Sequence, residues 1–256
     1  MIAMKRIIRA AVAFVCIISR VTLLAQNAEL SKSERKAIRA FVNELQHGKK
    51  ELVAAAVHYP MERSYPLKPI IDKEEFVEHY DEFIDDSFIE SVKSSEWERI
   101  GWRGICCGTG ILWGDIDENG EFYSFSYRLT RKGQQVWKDA VERQRDRLYP
   151  GLRVFEKPVF MFKTTRYTIR VDLMPDNSYR YASWNRGHDI SAKPDLVITG
   201  GAMNNDGSLH LEYYLFRNGE YEYEIGPATD SQDFDFELIV SRKGEELMRQ
   251  YGNLYY

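Results

Sequence analysis

Cysteine is scarce in this chain, with three in 256 residues, at Cys16, Cys106 and Cys107. Cys106 and Cys107 are neighbours, and one peptide holds their Cα atoms about 3.8 Å apart. An ordinary disulfide wants them at least about 4.4 Å apart. The fold is therefore not built on disulfides, and the two thiols are expected on a strand, one facing each side; a vicinal redox pair or metal site is the alternative. Catalytic signatures are missing too. There is no Gly-x-Ser-x-Gly elbow, no His-Glu-x-x-His and no phosphate-cradling glycine loop, and Gly108-Thr109-Gly110 lacks the rest of a dinucleotide fingerprint. Five histidines are scattered with no metal-ligand spacing, so neither a metal nor another cofactor is expected. A triad assembled only in space stays open. Excess positive charge is lacking as well: 35 basic residues face 39 acidic ones, for a net charge of −4. That argues against nucleic acid or an anionic membrane as a charge-driven partner. Internal repeats and low-complexity tracts are absent.

Long apolar runs are confined to the start. Lys5, Arg6 and Arg9 precede the run Ala10–Ile18, and Thr22-Leu23-Leu24-Ala25-Gln26 follows Ser19 and Arg20. A basic start, an apolar segment and a small residue describe a secretory signal peptide over residues 1–25, cleaved after Ala25. A retained anchor is the alternative, but Arg9, Ser19 and Arg20 interrupt the span. A lipid-modified Cys16 is the other, and it wants a smaller residue than Val15 before it. Cleavage would remove four basic residues and take the charge from −4 to about −8. The mature chain would be exported, periplasmic or extracellular, and free of membrane spans.

What is present is aromatic: sixteen Tyr and thirteen Phe, which favour sheet. Ser31–His47 predicts a helix, with Ser31 or Ser33 as its cap, Ile38, Phe41, Val42 and Leu45 at helical spacing, and Gly48 as its stop. Lys50–His58 predicts a second helix, and Met61–Ile70 an extended connector or edge strand. Asp72 caps a long helix reaching Ser94, with Phe76, Tyr80, Phe83, Phe88 and Val92 as its apolar stripe. Strands are predicted at Trp97–Cys107, Gly110–Ile116 and Glu121–Leu129. A charged helix, residues 131–150, then links to a part made of short strands. These run Val154–Lys163, Tyr167–Met174, Ser178–Trp184, Asp195–Ile198, Ser208–Phe216, Tyr221–Ile225 and Phe234–Ser241, with turn residues between them. Residues 151–256 thus read as a small antiparallel barrel or sandwich, closed by a short helix over Gly244–Tyr251. The fold class is α+β.

Residues 31–130 carry Val57-His58-Tyr59-Pro60, Glu75-Phe76, His79-Tyr80-Asp81-Glu82-Phe83, Trp102-Arg103-Gly104 and Gly108-Thr109-Gly110-Ile111-Leu112-Trp113. With this order of elements, the segment resembles the nuclear-transport-factor-2-like, or cystatin-like, superfamily. The resemblance implies a curved sheet wrapped on a long helix as a cone. It makes Tyr80, Trp102, Trp113 and Tyr127 candidate ligand contacts. In enzymes of that superfamily, acids and histidines inside the cone do general acid–base work. Here the helical spacing turns most of the acids, Asp81 and Asp85 among them, toward solvent. The phrase Ser178-Tyr179-Arg180-Tyr181 with Trp184 resembles a region of lysozyme-inhibitor-like barrels, without their glycine and cysteines.

Two further stretches bear on chemistry. Asp115-Ile116-Asp117-Glu118-Asn119-Gly120 matches the opening of a calcium loop, but the twelfth position is Ser126 instead of Glu. A tight hairpin turn is the expectation there. Arg180, Tyr181, Trp184 and His188 form an aromatic and cationic cluster of the kind enriched at binding surfaces. On a strand Tyr179, Tyr181 and Ser183 share one side, and Arg180, Ala182 and Trp184 the other. The expected role is a non-enzymatic binding module for a protein, a glycan or a small apolar molecule. An enzyme using the cone, and an inhibitor acting through Arg180 and Tyr181, are the alternatives.

Overall fold

The computed structural model describes residues 29–99, 105–107, 113–114, 129–205 and 212–256; of residues 99, 106, 107, 113 and 114 it describes the backbone alone. The signal-peptide segment and the calcium-loop-like stretch lie outside these residues, as do most of the strands expected at 110–116 and 121–129. The chain divides into two compact units. One holds the described residues up to Met61 with Ile70–Gly133, and the other holds Glu62–Pro69 with Gln134–Tyr256. No helix among the described residues is long and apolar enough to cross a membrane.

In the first unit, α1 (Lys32–Gln46) begins at a capping box. The Glu34 amide donates to Ser31 Oγ at 3.2 Å, and the Ser31 amide donates to Glu34 Oε2 at 2.7 Å. Gly48, at φ +62°, ends it in the left-handed region. A short α2 follows (Lys50–Ala55). The expected long helix is two helices, α3 (Lys73–Phe83) and α4 (Asp86–Ser94). Ile84 between them is extended, at φ −127° and ψ 120°. Asp85 explains the break: its carboxylate accepts from the Phe88 amide at 2.9 Å and the Ser87 hydroxyl at 2.7 Å. A short acidic side chain that can bond the backbone prefers a cap to a helix interior. The bend lets Phe76 and Phe83 of α3 share one core with Ile84, Phe88 and Val92. The strand expected over Trp97–Cys107 is also two, β1 (Trp97–Arg99) and β2 (Ile105–Cys107), paired antiparallel. With β3 (Trp113–Gly114) they make a sheet in the order β1-β2-β3.

The second unit is a closed barrel, not a sandwich. Its strands are β4 (Lys157–Thr164), β5 (Tyr167–Leu173), β6 (Tyr179–Asn185), β7 (Leu196–Asn205), β8 (Glu212–Asn218), β9 (Tyr221–Pro227), β10 (Phe236–Arg242) and β11 (Glu245–Leu254). Each pairs antiparallel with the next, and β11 pairs back onto β4 through Gly252 with Thr164, Asn253 with Lys163 and Leu254 with Phe162. The closing helix expected over Gly244–Tyr251 is therefore strand β11. Glu245-Glu246-Leu247-Met248 has good helix formers, but two neighbours override local preference. Lys243 and Gly244 both take positive φ, a tight hairpin reversal, and β4 offers an edge to be filled.

Alternation along the strands packs the interior with Phe162, Ile169, Val171, Tyr181, Phe216, Ile225 and Leu238. Gly201 leaves space for one of these rings: a Cβ there would lie 2.3 Å from the Phe216 ring. The charged helix, α5 (Arg131–Arg147), forms as expected. From Gln134 on it belongs to the barrel unit, where Val141 and Leu148 are buried with Tyr65, Met161, Ala182 and Trp184 against the outer wall. The Trp137 indole donates to the Tyr65 carbonyl at 2.8 Å and holds the Glu62–Pro69 segment to the same unit.

Replacing the cap between α3 and α4 should be felt in the first unit. Asp85→Ala should lower stability by about 1 kcal/mol, while Asp85→Asn, an equally good cap, should cost a few tenths. Urea unfolding followed by circular dichroism checks both.

Candidate functional site

In an up-and-down barrel the starts of alternate strands gather at one end. Here the starts of β4, β6, β8 and β10 meet the ends of β5, β7, β9 and β11. That end opens into a cavity of about 340 Å³, lined by Glu62, Arg63, Tyr65, Val159, Phe160, Glu212, Tyr214, Pro227, Phe236, Leu254 and Tyr256. Its volume lies at the small end of the range for small-molecule sites.

The floor is aromatic. Phe160 stacks on Phe236 with ring centroids 4.5 Å apart, and Tyr214 meets Phe160 edge-on at 5.2 Å. Tyr179 meets Tyr214 edge-on at 5.0 Å. These arrangements hold each ring in a fixed orientation. Phe162 and Phe216, both fully buried, fill the barrel below. The site is therefore a cup at the mouth, with packed protein beneath it.

The rim is polar. The Tyr214 hydroxyl donates to Glu212 Oε2 at 2.6 Å. Burial, then this bond and the charge of Glu212, raise the Tyr214 phenol well above the ordinary tyrosine range. Burial, then the charges of Glu62 and Asp235, push Tyr256 up to about 12. The Tyr65 hydroxyl accepts from Gln144 Nε2 at 2.6 Å and donates to the Tyr255 carbonyl at 3.2 Å. These phenols stay protonated at neutral pH and act as fixed hydrogen-bonding groups. The lining thus offers ring faces and edges, phenolic oxygens, two carboxylates and one guanidinium.

The sequence cluster Arg180, Tyr181, Trp184 and His188 is not brought together. Tyr181 is 2% exposed inside the barrel, and burial raises its phenol above the ordinary range. Arg180 and Trp184 lie on the opposite face of β6, as the alternation predicts, but that face is covered. Trp184 is fully buried, and its indole donates to the Ala192 carbonyl at 2.9 Å. Arg180, 4% exposed, donates to Asp172 Oδ2 at 2.7 Å and to the carbonyls of Leu152 and Val154 at 2.6 and 3.0 Å. Asp172 also pairs with Arg170 at 2.6 Å, and Arg170 bonds Gln144 of α5. These three charges bind helix and strands into one body. His188 is exposed on the loop after β6, with Nδ1 3.3 Å from Asp195, at the far end of the barrel from the cup. Arg180 and Tyr181, through which an inhibitor would act, are thus both withdrawn from the surface.

In the first unit Tyr80 lies in the core at 5% exposure, with Lys50 4.8 Å from its ring centre. Burial and the charge of Asp81 push its phenol up to about 12. Asp81 faces solvent and pairs with Lys50 at 2.8 Å and Lys132 at 3.4 Å. Most acids of α3 and α4 are exposed, as expected, and Glu82 is the exception among those described. It is buried, and its Oε1 lies 2.6 Å from His79 Nδ1. Trp102, Tyr127 and the side chain of Trp113 lie outside the described residues. No group of three or more His, Cys, Asp or Glu that could hold a metal is present among the described residues.

Sequence reading missed Tyr65, Phe160, Tyr214, Phe236 and Tyr256. A signal for three of them exists: Phe160, Tyr214 and Phe236 all fall near the start of an alternate strand, and so at one end of a meander. Using it requires knowing that the sheet closes. No protein-family model, curated protein or solved structure matches the chain.

The charges under α5 give a direct test of their structural role. Asp172→Ala leaves two buried guanidiniums without their carboxylate and should destabilise the protein by about 3–5 kcal/mol. Glu222→Ala, which removes an exposed partner of Arg217, should cost under about 1 kcal/mol. Chemical denaturation of the two variants measures the contrast.

Proposed function

We propose that the chain is an exported binding module whose barrel holds one small molecule with an apolar body in its mouth. The observation that carries this reading is the aromatic cup floored by Phe160, Tyr214 and Phe236. A concave, largely apolar site with a few oriented polar groups is what small-ligand sites share. Rings already locked by edge and face contacts lose little freedom when a ligand arrives, so less of the contact energy is spent on ordering them. The packed interior below sets the depth to which a ligand enters. The signal-like residues 1–25 supply the exported setting.

N-Phenyl-1-naphthylamine, a neutral apolar fluorophore, is the probe for this site. It should bind saturably with one site per chain. Val159→Trp, which puts an indole into the cup, should weaken binding at least about tenfold, a loss of about 1.4 kcal/mol. Leu247→Trp, on the exposed outer wall, should leave binding unchanged. Absence of saturable binding, or binding indifferent to Val159→Trp, would contradict the reading.

Processing is checked separately. Expressed whole in a secreting bacterium, the protein should be recovered outside the cytoplasm with a mass that begins at Gln26. Recovery of the uncut chain from the cytoplasm would overturn the export assignment.

A further inference from the structure

Resting on the reading of the cup as a ligand site, we infer that its occupant is an organic cation: an ammonium group carried on an apolar or aromatic body. Charge, the aromatic lining and hydrogen-bond polarity point the same way.

Charge comes first. Glu62 and Glu212 line the cup, and Asp235, just before β10, stands close enough to bear on Glu62 and Tyr256. Among the described residues of the lining, Arg63 supplies one positive charge beside these three carboxylates. The Glu62 carboxyl is held above its ordinary range by burial and then by the charge of Asp235. Among the described residues the carboxylates outnumber the cations, which favours a negative potential at the mouth.

The rings add to this field. Tyr65, Phe160, Tyr214, Phe236 and Tyr256 surround the space. Their faces carry the negative part of the ring quadrupole, and a cation within about 6 Å of a ring centre is attracted, most strongly when desolvated. The same chain already sets cations over rings: Lys163 Nζ lies 3.4 Å from the Tyr255 ring centre, and Lys50 4.8 Å from that of Tyr80.

Hydrogen-bond polarity completes the case. Tyr214 spends its proton on Glu212 and still offers oxygen lone pairs, while the Tyr65 hydroxyl is taken up by Gln144 and the Tyr255 carbonyl. With the carboxylates, the cup is richer in acceptors than in donors, and an ammonium, which only donates, is the complementary group. An anionic ligand such as a fatty acid would have to bring its carboxylate among three others.

Three probes of similar size separate the possibilities by displacement of N-phenyl-1-naphthylamine from the whole mature protein at neutral pH: phenethylamine as the cation, 2-phenylethanol as the neutral analogue and 3-phenylpropionate as the anion. The cation should bind at least about tenfold more tightly than the alcohol, and the anion more weakly than either. Glu62→Gln and Glu212→Gln, which keep size and an accepting oxygen, should each weaken phenethylamine about three- to tenfold and leave 2-phenylethanol within about twofold. If the alcohol displaces the fluorophore, is blocked by Val159→Trp and matches the amine, the cation assignment is overturned and the cup stands as an apolar site. Tighter binding of the anion overturns it equally. If the fluorophore itself never binds, the reading of the cup as a ligand site falls first.

Discussion

Pairing of β11 with β4 is the interaction on which the barrel and its cup depend. Seven antiparallel pairings would leave a twisted sheet with two open edges. The eighth removes both edges and fixes which residues face inward on every strand. Gly252 sits at this seam, where a Cβ would lie 2.2 Å from the Lys163 carbonyl oxygen, so the two backbones meet more closely than any other residue would allow. Once the sheet is closed, Phe162, Phe216, Tyr181 and Leu238 fill its middle, and the aromatic residues at the strand starts are left around one mouth. The cup is a consequence of closure: the tube is packed through its centre and runs out of inward side chains at its end.

Charged residues of similar type serve two purposes on the two sides of the same wall. On the outside, Arg170, Asp172 and Arg180 are withdrawn from water: Arg180 donates to Asp172 and to the Leu152 and Val154 carbonyls, and Arg170 donates to Gln144 of α5 and forms an ion pair with Asp172. Such a cluster adds specificity of docking more than raw stability, because desolvation offsets much of the attraction. At the mouth, Glu212 and Glu62 are exposed at the rim of an apolar cup. There the same chemistry faces a space that a ligand can enter. Burial by neighbouring elements, and not residue type, decides which charges are structural.

Much of this was legible in the sequence where local chemistry dominates. The cap at Ser31, the stop at Gly48, the helix over residues 131–147 and seven of the barrel strands follow from capping, periodicity and turn residues. Three features were not. The break at Ile84-Asp85 looks like helix by apolar spacing, because Phe83 and Phe88 continue the stripe; only Asp85 as a second cap reveals it. β11 is written in helix-forming residues and becomes a strand because β4 needs a partner. The cluster Arg180, Tyr181, Trp184 and His188 looked like a surface from its composition, and strand alternation correctly split it into two faces. What alternation does not reveal is that the outer face is covered too, so Trp184 ends among Val141 and Leu148, Arg180 against the Leu152 and Val154 carbonyls, and Tyr181 inside the barrel. The cup residues are separated by up to about two hundred positions; closure brings the strand residues together, and the Trp137 bond to Tyr65 brings in the Glu62–Pro69 segment.

The most direct test is an amide NMR titration of the mature protein with N-phenyl-1-naphthylamine. The account predicts shifts concentrated at Val159, Glu212, Tyr214, Phe236 and Leu254, with the hairpins at Thr165, Gly219 and Gly244 on the far end unmoved. Shifts centred on those hairpins or on the His188 loop, with the mouth silent, would contradict it.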